Sequence, residues 1–158
     1  MDYFEDVTIG STIAIGQHLF TAEEIKSFAR RYDPQPFHLD ELAAAQSHFG
    51  ALCASGWHTA AIWMKLTIAF RRKQQAEREA LGLPFAQWGP SPGFRELKWL
   101  KPVYAGDTLT FSAEAIDKRA SKTRPAWGLL FSRNVGVNQH GETAFSFVSS
   151  VFVERRPA

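Results

Sequence analysis

Ser55-Gly56-Trp57-His58-Thr59-Ala60-Ala61-Ile62-Trp63-Met64-Lys65-Leu66-Thr67-Ile68-Ala69-Phe70 reads as one long helix. Apolar residues occupy most of its circumference, which predicts burial on several sides. Lys65 interrupts the run, and the run is too short to span a bilayer. From Arg71 to Glu79 the chain turns highly charged. It then passes through Leu81-Gly82-Leu83-Pro84 into Gly89-Pro90-Ser91-Pro92-Gly93, a composition that breaks regular structure. Residues 71–93 therefore read as an insertion between the helix and a sheet.

Upstream, Ser11 to Phe20 is rich in β-branched residues and predicts a strand. Thr21-Ala22-Glu23-Glu24 has the form of a capping box and opens a short helix to about Arg31, with Ile25, Phe28 and Ala29 on one face. Pro34 and Pro36 end that helix. Asp40 is placed to cap a further short helix through Leu42-Ala43-Ala44-Ala45. Downstream the pattern is β. Phe94–Leu100, Thr108–Ala115, Trp127–Val137 and Thr143–Val153 are candidate strands, and Asn138-Gln139-His140-Gly141 is a hairpin turn. Phe145, Phe147, Val151 and Val153 share one face of the last strand. A mostly antiparallel sheet curled around one buried helix satisfies this order, an α+β fold in a single domain over residues 1–158.

The composition narrows the function classes. The 158 residues are 45% hydrophobic and include thirteen Phe and five Trp, enough for one sizeable core. A formal charge of +2 gives no concentrated basic face and so no case for nucleic acid. The single cysteine, Cys53, excludes an internal disulfide and a cysteine metal cluster, and reads as a small buried hydrophobe. The acidic start, Met1 to Asp6, is not a signal peptide, and no segment suits a membrane. A cytoplasmic location is the expectation.

Two segments carry candidate chemistry. In Asp33-Pro34-Gln35-Pro36-Phe37-His38 the two ends would lie roughly 16 Å apart if extended. The prolines favour a bend that brings carboxylate and imidazole to one point, where they can share a water as an acid–base pair. Asp before Pro also forms ordinary turns, and His38 could simply satisfy a backbone carbonyl. The second segment is Ala54-Ser55-Gly56-Trp57. Free N–H groups at a helix N-terminus favour negative charge, and Gly56 permits close approach to the backbone. A thioester carbonyl bound there would have its developing enolate oxygen stabilised. The plainer reading makes Ser55 an N-cap and Gly56 a packing residue. His58 in the first turn either faces this site or the helix surface. Arg71, Arg72 and Lys73 read as a solvated face, or else as partners for coenzyme A phosphates.

Together these segments resemble the MaoC-like dehydratases and (R)-specific enoyl-CoA hydratases. The resemblance rests on Asp33-x-x-Pro36-x-His38-x-Asp40 and Ala54-Ser55-Gly56, and continues through Gly89–Gly93, Leu97–Val103 and Gly106-Asp107-Thr108-Leu109. It implies a hot-dog fold, in which a sheet wraps one long helix, and a homodimer or higher assembly. It also implies an acyl-CoA or acyl-carrier thioester as substrate, with no cofactor and no metal. Asp33 and His38 would then activate the water, and the Gly56 N–H would polarise the thioester carbonyl. Ser55, Gln35 and Trp57 would line the bound substrate. Many members carry Asn where this chain has Gln35. Ile62-Trp63-Met64 stands where some hydratases place a hydroxyl, which points to a short or unusual acyl group.

Two competing expectations remain. A hot-dog thioesterase would place an acidic residue on the long helix, but none lies between Ser55 and Phe70. A non-catalytic acyl-thioester-binding module is the other, and Gln35 is its main support.

Overall fold

The computed structural model describes residues 2–157. A 3-10 turn, Phe4–Asp6, precedes strand β1 (Thr12–Leu19) and helix α1 (Ala22–Tyr32). Two short helices come next, α2 (Pro36–Leu39) and α3 (Glu41–Ala45), then the long helix α4 (Gly56–Ala80). The remainder is β2 (Gly93–Trp99), β3 (Thr108–Ala120), β4 (Trp127–Val137) and β5 (Thr143–Glu154). The five strands form one antiparallel sheet in the order β1-β3-β4-β5-β2. This sheet curls around α4, which is the hot-dog arrangement.

The local signals explain most boundaries. Thr21 caps α1 by accepting a hydrogen bond from the Glu24 N–H at 3.2 Å. Only half of the expected capping box forms, because the Glu24 carboxylate instead meets His18 Nε2 at 2.8 Å. Asp40 caps α3 through the Ala43 N–H at 2.8 Å. Pro36 does more than end a helix: it opens α2 from the first-turn position, where its missing N–H costs nothing. The charged stretch from Arg71 continues α4 to Ala80, so only residues 81–92 form a loop between helix and sheet.

The core is aromatic and lies between α4 and the concave face of the sheet. Phe20, Phe111 and Phe145 are fully buried. Each contributes about 1.5–3 kcal/mol over its exposed state. Ile62 and Trp63 enter the same cluster from α4, and Trp63 meets Phe147 edge-on at 4.6 Å. The helix is not buried on several sides within one chain. His58, Thr59, Ile62, Trp63 and Thr67 form its buried stripe, whereas Trp57, Ala61, Met64 and Ile68 face outward. Among the described residues no helix is long and apolar enough to cross a membrane.

Candidate active site

The turn between α1 and α2 folds Asp33 back onto His38. The Asp33 N–H, capping α1, donates to the Ala29 carbonyl at 3.0 Å, and the Gln35 N–H donates to the Asp33 carbonyl at 2.8 Å. The His38 N–H then donates to the Gln35 carbonyl at 2.9 Å as α2 begins. Three backbone bonds between Ala29 and His38 thus bend the chain. They bring Asp33 Oδ2 to 3.5 Å from His38 Nε2, against roughly 16 Å for an extended segment.

The other imidazole nitrogen is anchored. His38 Nδ1 lies 2.7 Å from the Cys53 carbonyl oxygen, which can only accept, so Nδ1 carries a hydrogen. That bond orients the ring so that Nε2 faces the Asp33 carboxylate. His38 is buried and Asp33 half-buried. Burial acts to raise the Asp33 carboxyl. The donor groups of Ser55 and Gln35, together with the adjacent imidazole, outweigh it and hold the carboxyl below the usual aspartate range. Gln35 contributes a direct bond, Nε2 to Asp33 Oδ1 at 2.8 Å. The longer side chain in place of Asn therefore still delivers its amide to the carboxylate.

The N-terminus of α4 stands beside this pair. Ser55 is buried and caps the helix, its Oγ accepting from the Trp57 N–H at 3.3 Å. Gly56 is the first helical residue, so its N–H has no acceptor within the helix. Gly56 has a second reason to be glycine. A Cβ there would run into the indole of Trp99, which lies against the backbone from β2. Trp57 meets Trp99 edge-on at 5.3 Å and is more than half exposed. Gly56→Ala is expected to push Trp99 aside and cost about 1–3 kcal/mol, as overpacking does. Urea unfolding checks this, and pairing the change with Trp99→Ala is expected to recover most of the loss.

Two contributors to this site carried no signal in the sequence. The Cys53 carbonyl acts through its backbone, which leaves no mark on residue type. Trp99 is distant in the chain and is brought in by the pairing of β2 with β5. The Cys53 thiol itself is pushed up to about 11 by burial and is unsuited to nucleophilic work. His58 points away from the site into an aromatic box, stacked on Phe28 at 4.6 Å and edge-on to Phe20 at 5.2 Å. Arg72 and Lys73 are exposed, but Arg71 turns inward over the Trp88 ring, 4.0 Å from its centroid.

With this geometry in place, comparison with known proteins is decisive. The MaoC-like domain matches residues 7–127. The chain belongs to the MaoC-like domain family. A MaoC-like dehydratase from Rhodospirillum rubrum superposes on this MaoC-like chain with a TM-score of 0.85. The two are 39% identical, and all of each chain is covered. A mesaconyl-CoA hydratase from Cereibacter sphaeroides is 39% identical over 64 residues. That match takes in 40% of this MaoC-like chain and spans only 18% of the hydratase. An (R)-hydratase from A. caviae shares the fold, with a TM-score of 0.64, 20% identity, and coverage of 97% of this chain and 99% of its own.

Proposed function

We propose that this MaoC-like protein hydrates an enoyl thioester, or dehydrates the corresponding 3-hydroxyacyl thioester, through Asp33 and His38. The observation that carries this reading is the anchored imidazole. With Nδ1 held on the Cys53 carbonyl, Nε2 is the free acceptor, 3.5 Å from a carboxylate. A water held between them gives one proton to Nε2 while Asp33 accepts a hydrogen bond from the other. Its oxygen bonds to the β-carbon, and electron density moves to the thioester oxygen. The proton on His38 then passes to the α-carbon, so the elements of one water are added. The unspent N–H of Gly56, at the positive end of α4, is the donor for the enolate oxygen. The substrate is a coenzyme A or acyl-carrier thioester, and the protein's residues alone supply the acid–base chemistry.

Crotonyl-CoA tests this directly. Loss of the enoyl absorbance with no free thiol is the expected result. Release of thiol would instead mark a thioesterase, and tight binding with neither change a non-catalytic binding module.

The same reading includes a homodimer. The outward stripe of α4 carries Trp57, Ala61, Met64 and Ile68 at helical spacing, and Trp57, Trp99 and Leu100 leave a large apolar surface beside the site. A second copy covering this surface would enclose the thioester. Sedimentation velocity is expected to show a dimer or larger assembly. A monomer at micromolar concentration would remove this part of the proposal.

A further inference from the structure

A cavity of about 350 Å³ lies between the middle of α4, from Trp63 to Gln74, and the sheet. It falls within the size range of small-molecule sites. No residue of the Asp33–His38 turn or of 53–57 borders it. Its walls are largely apolar, with Ile13, Leu130 and Val151 prominent, while Ser132, Asn134 and Ser149 add a polar patch from the sheet.

Among the described residues, the buried side-chain atoms without a partner beside this cavity are two indole nitrogens and one hydroxyl. The Asn134 amide nitrogen is already committed, donating to the Ser132 carbonyl at 3.0 Å and to Ser149 Oγ at 2.9 Å. The indole N–H groups of Trp63 and Trp88 and the hydroxyl of Thr67 are buried without a partner. An indole N–H can only donate, and a threonine hydroxyl can do so. Arg71 borders the cavity and forms neither a hydrogen bond nor an ion pair with any described residue. Its guanidinium rests on the face of Trp88. Burial pulls its pKa down to about 10. The two carboxylates on the rim do not compensate it: Asp2 pairs with Arg78 at 2.6 Å, and Asp6 with Arg156 at 2.7 Å. A half-buried guanidinium with no anionic partner lacks a charged acceptor, and a carboxylate supplies two oxygens suited to a guanidinium fork.

We infer that this cavity binds a small free carboxylate with a short apolar chain, its head at Arg71 and its tail against Ile13, Leu130 and Val151. The proposed head-group position lies far along α4 from the Gly56 amide. Arg71 lies fifteen residues beyond Gly56 on α4, about 22 Å along the axis at 1.5 Å per residue. The near wall, at Trp63 and Thr67, is about 10–16 Å from Gly56 by the same rise, so it is the Arg71 end that the inference concerns.

Titration of the full-length protein with octanoate tests the inference, read by tryptophan fluorescence because Trp63 and Trp88 border the cavity, and by calorimetry. Octanol is the uncharged control. The expected result is saturable binding of octanoate, with octanol at least tenfold weaker. Arg71→Gln is expected to weaken octanoate at least tenfold, and Arg71→Lys less. Ser149→Leu, which fills the cavity while leaving Arg71 in place, is expected to abolish binding. It also answers the question if the Arg71 variants fail to fold. Asp33→Asn is expected to leave octanoate affinity unchanged, so the result is independent of whether the protein hydrates crotonyl-CoA. Absence of saturation, equal affinity for octanol, or equal affinity in the folded Arg71→Gln protein would overturn the inference.

Discussion

Asparagine in place of Asp33, or in place of His38, is expected to lower kcat/KM for crotonyl-CoA hydration by about 10²–10⁴-fold while the protein stays folded. The two substitutions remove different parts of one device. On the proposed mechanism, Asp33→Asn removes the negative charge that would orient the water and stabilise an imidazolium. Gln35 can turn its amide so that its oxygen accepts from the new Asn, so the turn is preserved. His38→Asn keeps a donor near the position of Nδ1 for the Cys53 carbonyl but removes Nε2, the proton acceptor. His38→Ala would also leave that carbonyl unpaired and confuse a chemical loss with a structural one. On that mechanism the pair acts as a unit, and the double variant is expected to be little worse than either single one. Thermal melts separate folding from chemistry. A folded Asp33→Asn protein with an undiminished hydration rate would remove Asp33 from the reaction.

The fold was more legible than the site. Alternation along Thr143–Val153 and the Asn138–Gly141 turn placed β5 within a residue of its observed end, because each signal is local and is reinforced by burial on one face. β3 runs five residues beyond its expected end, past a bulge between Ala115 and Asp117 that shifts the alternation. The turn from Asp33 to His38 was readable because two prolines restrict it. The partners of its side chains were not. The Cys53 carbonyl and Trp99 arrive from other parts of the chain, and a backbone acceptor is the same in every residue. The long helix misled in one respect: apolar residues around its circumference suggested burial on several sides, whereas one chain covers only the stripe through His58, Ile62, Trp63 and Thr67. Arg71 misled in the other direction. In sequence it belongs to a charge run; in space the pitch of α4 turns it inward onto Trp88.

His58 predicts an acid-sensitive component of stability that begins above the carboxylate range. Burial drives its pKa from 6.5 down to about 4. Glu24 opposes that shift and His18 reinforces it, but neither reverses it. Its Nδ1 has no partner, and Phe28 and Phe20 offer only ring faces and edges, so a proton there has nowhere to be shared. Between pH 6.5 and 4 the unfolded chain therefore binds a proton that the native chain refuses, and stability falls as the pH falls. Across that window the loss amounts to about 3 kcal/mol, at 1.36 kcal/mol per pKa unit. His58→Phe keeps an aromatic ring between Phe28 and Phe20, removes the orphaned nitrogen, and abolishes this titration. It is expected to match or exceed the wild type at pH 7 and to gain steadily on it down to pH 4. Urea unfolding of both proteins at several pH values in this range reads the difference. Carboxylates such as Asp33, whose pKa values are held low, also lose stabilising charge in acid, but they do so in both proteins and cancel in the comparison. Parallel stability curves would show that His58 accepts its proton as readily in the folded protein as in the unfolded one. The aromatic box would then not be the desolvated environment that its packing describes.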